Sequence, residues 1–248
     1  MYHSVTIGSY NTLTRWHLVP AGRPVINPPD PITSYVDVPG SSGGLDLTEA
    51  LAGYTTYSNR TGSISFHVLN DHDTWTNIYQ DIVNKIHGRK LKLVLEDDPD
   101  WYYMGRYTVS WTSNNDGTWS DVQIDYNLEP YKYNKNPVTL EGTVNGGNYT
   151  DISSSSIFGN DIAQPVIPKV SITENTTPGA WFSVKNPELN LTFNKTKSDS
   201  YPINVSNVPL YSCLLSNMNG HNNLILRAGA DSGSGKYSYT ITITRAML

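Results

Sequence analysis

A change of hydrophobic period within residues 71–107 constrains the fold of this chain more than any other feature. Over 73–87 the apolar residues recur at steps of three and four, which places them on one face of a helix. Leucine then takes every second position from 91 to 95, as in a strand, and Gly88 between the two segments suits the left-handed conformation that ends a helix. The predicted helix face consists of Trp75, Ile78, Tyr79, Ile82, Val83 and Ile86.

The start and the surroundings of this helix are also predictable. Asp71 or Asp73 can accept hydrogen bonds from the free N–H groups of the first turn and so cap the helix. No other segment has a comparable helical pattern, and the chain is rich in residue types that favour sheets and turns, such as Gly, Pro, Ser, Thr and Tyr. We therefore expect a sheet to pack on the apolar face of the helix.

Strand patterns dominate the rest of the first 133 residues. Apolar residues alternate over 63–69, and an aromatic strand covers 101–112. The sequence 114–117 is a turn signal typical of a hairpin, and 119–128 then alternates again. These patterns predict a sheet, barrel-like in its closure, with one helix and a long hairpin.

The remainder of the chain has strand patterns without a comparable helix. Its short apolar segments are separated by turn residues, a spacing typical of a two-sheet sandwich. The charge also changes, from −6 over 1–133 to +1 over 134–248. We therefore predict a mainly β protein with two domains, 1–133 and 134–248. Strand candidates in the second domain cover 138–144, 166–172, 180–184, 189–193, 201–205, 208–215, 224–227 and 236–245.

Composition excludes several classes of function. The net charge of −5 argues against a general nucleic-acid binder, which needs a basic face. The chain has no run of about 18 apolar residues, so no membrane span is expected. Its one cysteine, Cys213, lies in an apolar run and has no partner for an internal disulfide, which favours folding in a reducing cytoplasm.

A proline-rich segment over 20–39 has two interpretations. Its six prolines exclude a helix and disfavour a central strand. Such a segment is either an extended arm that reaches a neighbouring subunit or an irregular surface loop. Composition alone does not separate the two.

No residue pattern in the chain predicts catalysis. His67, His72 and Asp73 could be imagined around a metal ion, but nothing fixes a ligand geometry. The acidic run over 96–100 contains Pro99 and fits a solvated turn better than a calcium loop. The sequence motifs of serine hydrolases, phosphate-binding loops and zinc proteases are absent. We therefore assign no catalytic, cofactor-binding or metal-binding residue and expect no cofactor.

Aromatic residues of the second domain leave a binding function open. Trp181, Tyr201 and Tyr211 could stack on the apolar faces of sugars if they are exposed. They could equally belong to a core or to contacts between domains. On the first interpretation the chain is a carbohydrate-binding adhesion module that recognises glycans of a host surface.

Several stretches of the first 133 residues, taken together, resemble the N-terminal domain of the distal tail proteins of siphophages that infect Gram-positive bacteria. The resemblance covers about 11–133, and for 134–248 it concerns only length, strand content and the closing strand TITITR. The matching stretches are WHLVPAGRPVINPP at 16–29, YVDVPGSSGGLDLTEALAGY at 35–54, NRTGSISFHV at 59–68, KIHGRKLKLVLEDDPDWYYMGRY at 85–107 and IDYNLEPYKY at 124–133.

This resemblance implies a structural role and no enzymatic one. Proteins of that family form a ring, usually a hexamer, at the tip of the tail. Their N-terminal domains build the ring, an arm or hairpin embraces the neighbouring subunit, and their C-terminal domains are galectin-like sandwiches. The ring joins the tail tube and tape measure protein to a tail-associated lysin, fibre or receptor-binding protein. The resemblance thus places the chain in the virion, after synthesis in the cytoplasm of the bacterial host.

The predicted subunit contacts follow from this resemblance. The arm candidates are the proline-rich segment 20–39 and the hairpin over 95–112. An acidic first domain also fits a ring through which DNA slides, because like charges repel. The residues that we expect at the subunit interface are Pro24, Pro28, Pro29, Asp97, Asp98, Trp101, Tyr102 and Tyr103.

Overall fold

A computed structural model of the chain describes residues 3–50, 55–69, 72–113, 119–145, 148–153, 167–174, 180–186, 191–196, 225–230, 236–244 and 246–248. Strands make up 51% of the structure, which confirms the predicted mainly β class. The chain divides into two compact units: of the described residues, the first unit holds 3–49, 55–133 and Leu248, and the second holds Ala50 and those of 134–247. No helix in the described part of the chain is both long and apolar enough to cross a membrane.

The first unit consists of a curled sheet, two helices and a separate two-stranded ribbon. The helices are α1, Thr12–Trp16, and α2, Trp75–Ile86, and a 3-10 turn over His72–Thr74 precedes α2. The strands are β1 Val5–Ile7, β2 Tyr10–Asn11, β3 Leu18–Pro20, β4 Tyr35–Asp37, β5 Gly44–Asp46, β6 Arg60–Val68, β7 Lys90–Leu95, β8 Trp101–Ser113 and β9 Ser120–Asn134.

The sheet of this unit follows the order β2-β1-β7-β8-β9-β6-β3, and β4 and β5 form the ribbon apart from it. The sheet curls into a half-barrel. Strands β7 and β8 are antiparallel, with Lys90 opposite Arg106, and β6 and β9 are antiparallel, with Ile64 opposite Ile124. The predicted long hairpin is thus present as β8 and β9 at the centre of the sheet.

Helix α2 packs its apolar face on this sheet, as its periodicity predicts. Ile82 and Ile86 are fully buried and Trp75 is 5% exposed, while the other three predicted residues pack against the core in part. Gly88 follows the helix with a φ of +71°, in the left-handed region that was predicted for it. The buried partners on the sheet include Leu93, Phe66, Tyr107, Val109, Val122 and Ile124.

The ends of the helices differ from the prediction in two places. Asp73 lies in the 3-10 turn and Thr74 occupies the N-cap of α2, so the cap predicted for Asp73 is wrong. Asp71 lies outside the described residues. Helix α1 was not predicted, because a five-residue helix is too short to show a period; its N-cap Asn11 accepts hydrogen bonds from the backbone N–H groups of Leu13 and Thr14.

The second unit contains two antiparallel sheets. One has the order β10-β16-β12 and the other has the order β11-β15-β13-β14. The strands of these two sheets are β10 Val138–Asn145, β11 Tyr149–Ser153, β12 Ile167–Glu174, β13 Ala180–Asn186, β14 Leu191–Thr196, β15 Ile225–Ala230 and β16 Lys236–Thr244. The last strand, β17 Ala246–Met247, is the eighth strand of the curled sheet, where it pairs with β9. Six predicted strands coincide with these elements, β11 was not predicted, and the candidates 201–205 and 208–215 lie outside the described residues.

Candidate subunit interface

An arm leaves the first unit between β3 and β6, and its root is fixed by a buried arginine. The side chain of Arg60 donates from Nε to the carbonyl of Pro130 at 2.8 Å and from Nη1 to the carbonyl of Asn27 at 2.7 Å. Its guanidinium also lies over the ring of Tyr103, 5.4 Å from the ring centroid. Arg60 is only 5% exposed, so this contact holds the first residues of the arm against the sheet.

Beyond the root, the two limbs of the arm pair with each other. Ile32 donates its N–H to the carbonyl of Thr56, and Ser58 donates to the carbonyl of Asp30. Farther out, Leu47 donates to the carbonyl of Ser34, and β4 then pairs with β5. These backbone bonds join the two limbs of the arm to each other.

Side chains are exposed along the whole outer part of the arm. Every residue from 31 to 47 is exposed, including Tyr35 at 62%, Leu45 at 54% and Ile32 at 54%. A single two-stranded hairpin is at best marginally stable in water. A contiguous exposed apolar surface of this kind marks an interaction site, because scattered single residues are ordinary but clusters are not.

The arm is also charged with one sign. Residues 24–59 contain four acidic residues and no Lys, Arg or His. Hydrogen bonds from the side chain and then the backbone of Thr48 hold the pKa of Asp46 below its usual value. No carboxylate of the arm has a cationic partner among the described residues, since none takes part in their ion pairs.

The predicted proline contacts lie at the root of the arm. Pro29 is buried, Pro24 is partly buried and Pro28 is exposed. A shallow groove of about 370 Å³ lies beside them, between Ala21–Val25 and Ser63–Ser65. The proline segment thus leads into a projecting hairpin, which was missed, and its contact with a neighbouring subunit stays a prediction.

The sequence does contain a signal for that hairpin. In YVDVPGSSGGLDL, at 35–47, two short alternating segments flank a Pro-Gly and a Gly-Gly pair, which is the pattern of a strand, turn and strand. Gly40 and Gly43 take φ values of +84° and +89°, which glycine adopts without strain.

The acidic turn between β7 and β8 is occupied by contacts within its own chain. Asp97 pairs with Nδ1 of His3 and with Nε of Arg23, each at 2.8 Å, and Asp98 pairs with Nζ of Lys132 at 2.7 Å. Hydrogen bonds from His3 and then Arg23 keep the pKa of Asp97 below its usual value. Asp97 and Asp98 therefore fix the N-terminus, the arm root and β9, and they were predicted as contacts to a neighbour.

The aromatic residues after this turn divide between the two faces of β8. Trp101 and Tyr102 are half-buried and lie under the ammonium groups of Lys132 and Lys92, at 5.3 Å and 4.3 Å from the ring centroids. Tyr103 lies on the face opposite to Tyr102 and is 7% exposed, and burial raises its pKa. Tyr103 belongs to the core of its own unit, so little of its side-chain surface is available for contact with another subunit.

The possible glycan contacts of Trp181, Tyr201 and Tyr211 stay predictions. The backbone of Trp181 lies in β13, whereas Tyr201 and Tyr211 lie outside the described residues. His67, which was weighed as a metal ligand, pairs with Asp121 through Nδ1. Within the part of the chain that the structure describes, no group of three His, Cys, Asp or Glu side chains could hold a metal ion.

Comparisons with known proteins identify a likeness of fold. No family model matches the chain, and no curated protein matches its sequence. Among solved structures it is similar to one described as "Crystal Structure of SPP1 Dit (gp 19.1) Protein, a Paradigm of Hub Adsorption Apparatus in Gram-positive Infecting Phages". That match has a TM-score of 0.59 and 14% sequence identity, and it covers 100% of both chains. At this identity the match concerns the fold, and it extends over both units.

Proposed function

We propose that this chain is a structural hub subunit of a phage tail, and that copies of it close into a ring, as a hexamer, at the tail tip. The observation that carries the proposal is the arm, whose outer residues 31–47 are all exposed in the single chain and include six large apolar side chains. The likeness of fold to a hub protein and the sequence resemblance to distal tail proteins both support it.

Ring closure follows from the asymmetry of the contact. An arm that leaves one side of a subunit and docks on a different surface of the next makes a head-to-tail interface, and such interfaces close into rings when the rotation permits. From Asn27 to Val38 the arm spans 11 residues, so it reaches at most about 36–40 Å. That reach is sufficient to cross onto an adjacent subunit, since a compact unit of this size has a radius of gyration of about 14 Å.

The partners follow from the same proposal. The tail tube and tape measure proteins contact one face of the ring, and a tail-associated lysin, fibre or receptor-binding protein contacts the other. In this proposal the second unit is a galectin-like sandwich. The virion is the location of the assembled ring, and the proposed role requires no catalytic step and no cofactor.

An arm-shortened variant tests this function. The backbone bond from Leu47 to Ser34 brings the two ends of the ribbon together, so residues 35–46 can be replaced by a tight Gly-rich turn. The full chain is expected to show a multiple of 27.5 kDa by light scattering, and the shortened chain the mass of one copy. At concentrations low enough for both chains to be monomeric, they should have the same melting temperature, because the deleted side chains are exposed.

A second variant separates apolar contact from arm length. Replacing Tyr35, Val36 and Leu45 by serine keeps the ribbon but removes three exposed apolar side chains. The assembled fraction at a fixed concentration should fall, while the melting temperature of the dilute, monomeric chain should not change. An arm-shortened chain that assembles like the full chain would contradict the proposed function.

A further inference from the structure

The first unit carries a basic surface whose cations form no ion pair among the described residues. Arg89, Lys92 and Arg106 are exposed, and we name these three residues the basic strip. Lys92 lies on β7 and Arg106 lies on the neighbouring strand β8, in a register that places Lys90 opposite Arg106. Arg89 directly precedes β7. The three residues thus lie together on adjacent chain segments.

These cations are free of carboxylates in the folded unit. Among the described residues, the ion pairs of the first unit employ Arg15, Arg23, Lys90 and Lys132 but none of the basic strip. Arg106 donates from Nη1 to the carbonyl of Gly88, and Lys92 lies over the ring of Tyr102. Both contacts fix the position of a positive charge without neutralising it.

The arm has the complementary set of charges. Asp30 and Asp37 are exposed, and residues 24–59 contain four acidic residues and no basic ones. No described cation pairs with any of them. One unit therefore exposes unpaired carboxylates on a projecting ribbon and unpaired cations on its sheet, although the first 133 residues have a net charge of −6.

We propose that the basic strip of one subunit is the docking surface for the acidic arm of a second copy. This inference rests on the proposed function and adds the surface that receives the arm. Opposite charges at an interface steer the encounter and fix its register, while like charges in a wrong register repel. The apolar side chains of the arm supply contact area, and the charges determine where on the second copy the arm binds.

Paired charge reversals test this docking surface in the full chain. The strip reversal is Arg89→Glu with Lys92→Glu, and the arm reversal is Asp30→Lys with Asp37→Lys. Each reversal alone places like charges against each other and should raise the concentration at half-assembly at least tenfold. The combination of the two exchanges the signs and should restore assembly to within about threefold of the wild type, since the pairs re-form in the opposite sense.

The control is Lys135→Glu, which reverses an exposed cation outside the strip and should leave assembly unchanged. The melting temperature identifies any variant that unfolds. If the strip reversal unfolds, the arm reversal still tests the docking surface. Salt gives an independent readout, because about 1 M salt shortens the Debye length to roughly 3 Å and should weaken assembly of the wild type more than that of the reversals.

The outcomes separate this inference from the function beneath it. Reversals that assemble like the wild type, in a chain whose arm-shortened variant is monomeric, overturn the docking surface and leave the ring standing. Two disruptive reversals whose combination fails to restore assembly also overturn it. If the full chain and the arm-shortened chain contain the same number of copies, the proposed function itself is overturned, and with it the docking surface.

Discussion

The core under α2 and the outer arm belong to one unit, yet they place their apolar residues in opposite ways. Ile82 and Ile86 of α2 are fully buried against the curled sheet. Tyr35 and Leu45 of the arm are exposed by more than half. The core buries its apolar side chains within one chain, whereas the arm leaves its apolar side chains exposed in that chain.

This difference shows which apolar residues an isolated subunit buries by itself and which it leaves exposed. Burial of apolar area stabilises a fold by about 25 cal/mol per Å², so residues exposed in an isolated subunit contribute little to its stability. A mutation in the core should therefore affect folding, while a mutation in the arm should affect association. The following predictions, from the largest effect to the smallest, test that division.

Replacing Ile82 by Asp should unfold the first unit. The change places a carboxylate in a fully buried position without a partner, at a cost on the order of 4 kcal/mol or more. Circular dichroism during thermal unfolding is the measurement. The matched control is Asn84→Asp on the exposed face of the same helix, which should melt like the wild type. A soluble and normally folded Ile82→Asp protein would refute the packing of α2.

Replacing Gly105 by Ala should destabilise the centre of the sheet. An added Cβ would overlap the backbone carbonyl of Asn127 and the Cα of Leu128, and both lie on a strand that cannot retreat easily. We expect a loss of about 2 kcal/mol in urea unfolding. Gly22→Ala is the control, because its Cβ would meet no described atom within 4 Å. Equal stability of the two variants would contradict the close approach of β8 and β9.

Replacing Asp81 by Asn should weaken the attachment of α1 to α2 by about 1 kcal/mol at neutral pH. Oδ2 of Asp81 accepts from the indole N–H of Trp16 at 2.8 Å and from Arg15 at 3.1 Å. These contacts, with Trp16 first, lower the pKa of Asp81 below its usual value.

The pH dependence of this variant has a definite sign. A lowered pKa in the folded state means that the advantage of the wild type over Asp81→Asn is full above the ordinary pKa of about 3.9. The advantage is lost as the pH falls through the lower pKa of the folded state. Urea unfolding of both proteins at neutral pH and near pH 3 should show the difference shrink, and a difference that grows on acidification would be inconsistent with this account.

Replacing Val36 and Leu45 by Ser should change the stability of the unit least, by no more than about 0.5 kcal/mol. The two side chains are 47% and 54% exposed, so their removal costs little burial in one chain. Unfolding should be followed under dilute conditions, where the chain is monomeric, so that association does not contribute. A loss comparable with that of Gly105→Ala would show that the arm packs on its own unit.

Local patterns made much of this fold predictable from the sequence. The face of α2, the strand at 63–69 and the β8–β9 hairpin follow from periods of 3.6 and 2 that each segment carries by itself. The contacts of Asp97 with His3 and Arg23 join residues 94 and 74 positions apart, and no local pattern reports them. The acidic turn was therefore assigned to a neighbour when its partners lie in its own chain.

Burial of the predicted interface residues is equally invisible to local patterns. Tyr102 and Tyr103 were both expected at a subunit contact, but successive residues of a strand face opposite sides, and Tyr103 faces the core. Their role at an interface stays a prediction. The outer hairpin was missed because β4 and β5 have only three residues each, so their alternation is weak. It becomes a signal only together with the glycine and proline positions between the two segments.

Site-specific photo-cross-linking from Val36 tests most directly the claim that the arm binds a second copy. A photoreactive amino acid at this position, in an equal mixture of ¹⁴N- and ¹⁵N-labelled full chains, distinguishes cross-links between copies from those within one. We predict mixed-isotope cross-linked peptides and covalent multimers, with none from the same probe at the exposed core-helix position Asn84. Cross-links confined to single chains, together with a monomeric mass in light scattering, would contradict the account.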